Sequence, residues 1–322
     1  ARRLEEAETV LRDLRATLVA QKAPAGGIAS VDGQLGYVAL LRKDWAGARA
    51  AVKPHLFDED GSVNLQALNL LAQVARDAEE PAEGLKVARE AFAKEPKELG
   101  VRSLLAEFLL RSPREKERAE GEELVAAIAK DGKTGALAAA DVWQRLENYG
   151  KAAEAATAAL AVYPDDPELL FRQGASLERE KKIPESVAAF ERLVELKPDH
   201  GAALNYLGYM YADRNEKLDR AYELVTRAVA LEPSNAAYLD SLGWVCFRLG
   251  KVDEAEKHLL SAKRLSPDDP TIEEHLGDVA EKRGDLAKAR DHWTKALALK
   301  PEDGGAAVRA KLEKSAAAEK KP

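Results

Sequence analysis

ALNYLGYMYADR (203–214), AYLDSLGWVCFRLG (237–250) and IEEHLGDVAEKRGD (272–285) are three versions of one pattern, a Leu-Gly pair or its near equivalent inside an amphipathic stretch. Each is followed by a second amphipathic segment closing on Leu-x-Pro: LVTRAVALEP (224–233), LLSAKRLSP (259–267) and WTKALALKP (293–301). Two helical segments per unit, repeated with a period in the thirties, predict an all-α solenoid of stacked helix hairpins.

The punctuating prolines Pro164, Pro198, Pro233, Pro267 and Pro301 are separated by 34, 35, 34 and 34 residues. The single longer interval contains NEKLD (215–219), which lengthens one inter-helix turn. Proline cannot continue a helix and pushes the preceding residue out of the helical region, so each one ends a second helix and opens the next unit. Asp165, Asp199, Asn235 and Asp268, just beyond, suit the following turn and N-terminal cap.

Small residues recur twelve positions apart in the two segments: Gly174 with Ser186, Gly243 with Ala255, Gly277 with Ala289, and, across the longer turn, Gly208 with Ala221 at thirteen. Glycine inside a helix costs about 1 kcal/mol relative to alanine, so its return at one position needs a compensating gain. Two helices approaching too closely for a larger side chain supply it. Ala159, Ala228, Ala262 and Ala296 form a third small position, where each second helix would press on the next unit.

This pattern resembles the tetratricopeptide repeat (TPR): Leu-Gly in the first helix, Ala at the hairpin crossing and Pro at the end. The resemblance implies a right-handed superhelical solenoid of about eight repeats, at 29–62, 63–98, 99–132, 133–166, 167–200, 201–235, 236–269 and 270–303. The last five match well; 99–132 is the most degenerate, with Asp131 near the expected proline site and a long charged turn SPREKERAEG (112–121). PHLFDEDG (54–61) shortens the second helix of the first repeat. Residues 1–22 read as the second helix of a repeat whose first helix lies upstream, and KAPAGG (22–27) breaks the chain after it. Residues 304–314 have the composition of a capping helix, and 315–322 that of a disordered tail.

Composition narrows the function. The chain is 33% charged with a net charge of −7, mixed in sign, and lacks a basic stripe interleaved with aromatics, which argues against nucleic acid. No apolar run approaches the ~20 residues of a membrane helix, although an upstream segment could carry an anchor. Cys246 is the only cysteine, so no intramolecular disulfide forms; within a first helix it reads as a small buried apolar residue.

No catalytic or cofactor motif emerges: there is no Gly-rich phosphate loop, serine elbow or paired-cysteine motif. His258 and His292, 34 residues apart, hold the same register of successive second helices and are expected to face outward, too far apart to share a metal. His275 and Asp278, three apart, can pair locally but have no nucleophile beside them. The many Asp and Glu residues read as solvated helix faces. The expected protein is therefore non-catalytic, with no cofactor and no metal.

In TPR proteins the first helices line the concave side and hold partner segments. Carried onto this chain, that implies a partner-binding groove including Phe171 and Arg179, then Asn205, Tyr209 and Asp213, then Asp240, Trp244 and Arg248, and finally Asp278. Tyr209 and Trp244 fall at one register of adjacent repeats, as do Asn205 and Asp240. They either floor the groove or pack between first helices as core. The carboxylate-clamp subclass, which grips acidic C-termini through Lys and Asn, is not matched: Asn205 is present and the lysines are absent. The implied partner is a protein or peptide. The last three repeats also resemble lipid-anchored envelope TPR proteins of bacteria that dock enzymes or assembly machinery, which points to the periplasmic side of the envelope, with a cytoplasmic adaptor or the non-catalytic part of a larger enzyme as alternatives.

Overall fold

The computed structural model describes residues 2–301 and 304–319. Every regular element among them is helical, apart from one isolated antiparallel bridge between Phe57 and Val63. Two compact units divide the chain, Ala1–Pro164 and Asp165–Pro322.

In the first unit α1 (Arg2–Ala20) precedes four hairpins. These are α2 (Ala25–Leu41) with α3 (Trp45–Val52), α4 (Leu65–Asp77) with α5 (Pro81–Lys94), α6 (Leu99–Leu110) with α7 (Glu115–Ile128), and α8 (Gly132–Arg145) with α9 (Tyr149–Leu160). A 3₁₀ turn, Lys53–His55, takes over where α3 stops after 8 residues. The second unit has α10 (Pro167–Arg179) with α11 (Ile183–Leu196), α12 (Gly201–Asp213) with α13 (Leu218–Leu231), α14 (Ala236–Arg248) with α15 (Val252–Leu265), and α16 (Pro270–Lys282) with α17 (Leu286–Ala298). It closes on α18 (Ala306–Glu319).

The hairpin crossings are as tight as the recurring small residues require. A Cβ on Gly208 would stand 2.4 Å from Val225 and 3.0 Å from the Ala221 carbonyl oxygen. One on Gly243 would stand 2.6 Å from Leu259 and 3.2 Å from the Ala255 carbonyl. At Gly174 and Gly277 the obstacles are the rings of Phe190 and Trp293. Ser186 turns the same closeness into a bond, its hydroxyl donating to the Gly174 carbonyl at 2.7 Å. Ala221, Ala255 and Ala289 are fully buried, as are Ala228, Ala262 and Ala296, where each second helix presses on the next element of the chain.

Within the second unit α12, α14 and α16 pack along one another, whereas α13, α15 and α17 make their main contacts with first helices and α18. The first helices α12, α14 and α16 thus form one continuous layer of this unit. Phe190, Leu193, Leu204, Leu224, Leu259 and Trp293 are fully buried between its layers.

Several local expectations need correction. The caps after the prolines are one residue later than expected in three repeats: Asp166, His200 and Asp269 accept from the first-turn amides, and only Asn235 caps as read. The acceptor must sit at the residue whose own backbone is still extended, and the turn after proline uses one more residue to reach it. α2 starts at Ala25, inside KAPAGG, because first-turn amides need no intrahelical acceptor and glycine is tolerated there. The charged stretch EKERAEG is not a long turn but the start of α7. Finally, α18 runs through 315–319, where a disordered tail was expected; alanine is the best helix former, and Ser315 is buried. Residues 320–322 of that tail lie outside the described residues.

Candidate functional site

Built up from its residues, the first-helix layer of the second unit carries polar and aromatic groups on α10, α12, α14 and α16. Trp244 is 9% exposed and lies between α14 and α16, stacked on the His275 ring at a centroid distance of 4.3 Å and 14°. Phe247 stacks on the same indole at 5.2 Å. Arg248 lies over it at 5.4 Å and donates to the carbonyl of Asp213 at 3.0 Å, tying α14 to the C-terminal end of α12.

Asp240 and His275, one repeat apart, form a buried pair at 2.9 Å. Burial opposes charge on His275, but Asp240 outweighs it, with Asp278 and Glu274 behind, and the imidazole titrates above its ordinary value. Asp278 is buried as well, accepting from the Trp293 indole at 3.0 Å and from Lys311 at 2.7 Å. Lys311 also reaches Glu274 at 2.7 Å, so α18 supplies a cation to the first-helix face of α16.

Tyr209 is half-buried. Burial first, then the carboxylates of Asp213, Asp240, Glu274 and Glu178, push its phenol well above the usual range. Asn205 is half-buried, with its side-chain oxygen closed to solvent and unbonded. Asp213 is exposed at the end of α12. Phe171 packs against Phe190, His200 and Tyr206, with centroids 5.3–5.8 Å away. Arg179 is exposed at the end of α10.

The structure thus gathers Asn205, Tyr209, Asp240, Trp244 and Arg248 on neighbouring helices. It also shows what the sequence reading missed. Asp240 and Asp278 are buried in bonded pairs rather than open to solvent, and His275 pairs with Asp240 rather than with Asp278. His292 is not outward-facing but buried, 2.6 Å from Glu273, which also holds Lys263 at 2.5 Å. His258 is half-buried. The spacing of 35 residues between Asp240 and His275 was a visible signal: complementary groups one repeat apart lie side by side on adjacent first helices.

The first unit has its own buried charge. Glu107 is fully buried on α6 and accepts from Arg76 at 3.1 Å, Arg111 at 3.1 Å and Arg145 at 2.7 Å. Burial opposes its ionisation, but Arg76, Arg145 and Arg111 more than reverse this, and the carboxyl is held below its usual range. The three arginines stand one repeat apart, at 35 and 34 residues. Near α1, buried Asp32 accepts from Arg15 at 2.5 Å and lies 2.9 Å from His55.

A tetratricopeptide repeat model matches residues 137–200, 176–221 and 210–270. The stretch from 137 to 270 is built of tetratricopeptide repeats. The chain is 32% identical over 120 residues, 37% of its length, to a TPR repeat-containing protein of Pseudomonas aeruginosa. It is 28% identical over 174 residues, half its length, to the human protein O-mannosyl-transferase TMTC1. These matches span only about a fifth of either curated relative, 20% and 19%. Among solved structures, a thermophilic TPR protein of Thermus thermophilus shares 23% identity, covering 57% of this chain and 98% of that one, with a TM-score of 0.48. The repeats outside the matched windows, including α2–α3 and α16–α17, are helix hairpins too. Among the described residues no helix is long and apolar enough to cross a membrane.

Proposed function

We propose that this TPR chain is a non-catalytic scaffold holding a partner segment along the first helices of its second unit. The observation that carries this reading is the layer around Trp244. Aromatic rings and arginine, the residue types that dominate interface energetics, are stacked there with polar atoms that the chain itself leaves unbonded. The buried charges beside them are held in pairs that fix the surface rather than poised for chemistry.

We place its work in the bacterial cell envelope, docking enzymes or assembly factors. The resemblance of the last three repeats to envelope TPR proteins supports that placement, and the similarity to a Pseudomonas protein supports only a bacterial setting.

A photo-reactive phenylalanine analogue at Phe247, beside Trp244, tests the first part. A matching probe at Leu260, exposed on α15, is the control. Incubation with separated envelope and cytoplasmic fractions of a bacterial lysate should give cross-linked proteins from Phe247 and not from Leu260. The envelope fraction should supply them. Cross-links from Leu260 alone would overturn the groove, and cross-links to cytoplasmic proteins alone would overturn the placement.

A further inference from the structure

In the first unit a cleft of about 550 Å³ opens between α2 and α4, with Gly33 and Tyr37 on one wall, Leu70 on the other, and Val38 and Val52 beneath. Pockets of about 300–1,000 Å³ are the size that holds ligands. Gly33 stands in the middle of α2, where glycine weakens a helix. At Gly36, Gly208 and Gly243 the second helix of the hairpin fills the space above the missing Cβ, but at Gly33 nothing lies within 4 Å. The backbone of α2 is therefore bare toward the cleft, which is the use of glycine where a ligand comes close. Tyr37, one turn on and on the same face, is 54% exposed. From Gly26 to Tyr37 the wall runs about 16 Å at 1.5 Å per residue, so the mean cross-section of the cleft is about 33 Å². That is well under the cross-section of a helix 10–12 Å across, and an extended chain or a single side chain is what enters.

Charge at the mouth narrows the occupant further. Asp58 lines the cleft from the loop after α3, and Glu59 and Asp60 follow it, all three exposed. Among the described residues no cation is bonded to them: Asp58 accepts from the Asn64 amide at 3.1 Å, and Asp60 from the Ser62 backbone amide at 2.9 Å. The cations around the loop are engaged elsewhere. Lys53 bonds Glu90, and Arg15 and His55 both hold Asp32. Lys94 lies over the Phe57 ring at 6.0 Å, while the adjacent Glu95 accepts from the Val63 amide of the same loop. The mouth thus keeps net negative charge, which an acidic segment would meet as repulsion and a basic one as attraction.

We propose that this cleft is a second docking site, taking an extended partner segment that carries an aromatic side chain next to a lysine or arginine. The ring enters against Gly33 and the exposed Tyr37 ring, and the cation meets Asp58 and Glu59 at the mouth. The site belongs to the first unit alone and uses nothing of the layer around Trp244, so each stands or fails by itself.

The test uses the full chain and three labelled, glycine-flanked peptides: phenylalanine beside lysine, phenylalanine beside glutamate, and alanine beside lysine. Fluorescence anisotropy should show the phenylalanine–lysine peptide binding about tenfold more tightly than either other, with an affinity that falls as salt rises. Gly33→Leu fills the cleft and should abolish binding. Tyr37→Ala, at an exposed position that folding does not depend on, should weaken it about tenfold. Asp58→Asn with Glu59→Gln keeps the shapes and the bond from Asn64, and should weaken binding severalfold while flattening the salt dependence. Circular dichroism checks that each variant stays folded. Equal binding of the phenylalanine–glutamate peptide would overturn the charge assignment, and equal binding of the alanine–lysine peptide would overturn the aromatic anchor. Binding indifferent to both Gly33→Leu and Tyr37→Ala would overturn the site, as would the absence of binding by all three peptides; cross-linking at Phe247 reports separately on the second unit.

Discussion

Replacing Gly208 by alanine isolates the steric constraint at a hairpin crossing. In an open helix the change would stabilise by about 1 kcal/mol through helix propensity. Here the new methyl would meet Val225 Cγ2 at 2.4 Å and the Ala221 carbonyl oxygen at 3.0 Å. Ordinary carbon–carbon contact lies near 3.5–4.0 Å, so the overlap with Val225 exceeds about 1 Å. Val225 is β-branched and fully buried, and the carbonyl belongs to the backbone of α13, so neither can yield cheaply. Overpacking of this kind costs about 1–3 kcal/mol, which cancels the propensity gain and leaves a net loss of up to about 2 kcal/mol. Gly33, in the middle of α2, is the control: its Cβ position has nothing within 4 Å and opens on a cleft of about 550 Å³. Gly33→Ala should therefore stabilise by about 0.5–1 kcal/mol. Because repeat arrays can unfold in stages, hydrogen exchange resolved to α12–α13 and to α2 should accompany denaturant melts followed by circular dichroism. If Gly208→Ala stabilises as much as Gly33→Ala, the steric account of the recurring glycines is refuted.

Glu107→Ala should destabilise the first unit by about 3 kcal/mol, the low end for breaking a buried ion pair because its arginines are partly in water, and urea melts measure it. Since the Glu107 carboxyl is held below its ordinary 4.5, its contribution is fully present above that value and is lost as pH falls through the lowered one; Glu107→Gln should remove that acid-side slope. His275 has the opposite sign. Its imidazole titrates above 6.5, so the Asp240 pairing stabilises fully below that pH and fades as pH rises through the raised value, and melts across this range should flatten in His275→Gln. Cys246 is fully buried with its thiol pushed up to about 11, so a thiol reagent at pH 8 should label it only after unfolding; rapid labelling of the native chain would contradict its burial.

The amino-acid sequence by itself determined the repeat. Prolines at constant spacing, paired small residues and an amphipathic period are local signals, and helix ends and close crossings follow from backbone sterics that any neighbour would feel. Gly208 and Ala221 could therefore be matched from their spacing. Which side chains share a charge could not be read the same way. Asp240 with His275, Glu107 with Arg76 and Arg145, and Lys311 over Glu274 and Asp278 join residues roughly one repeat apart. Whether such a group is solvated or buried depends on how neighbouring first helices lie together. Tertiary structure alone decided that Trp244 is enclosed and its N–H left unbonded, because a hydrogen bond needs its partner within about 3 Å and sequence spacing does not measure that distance.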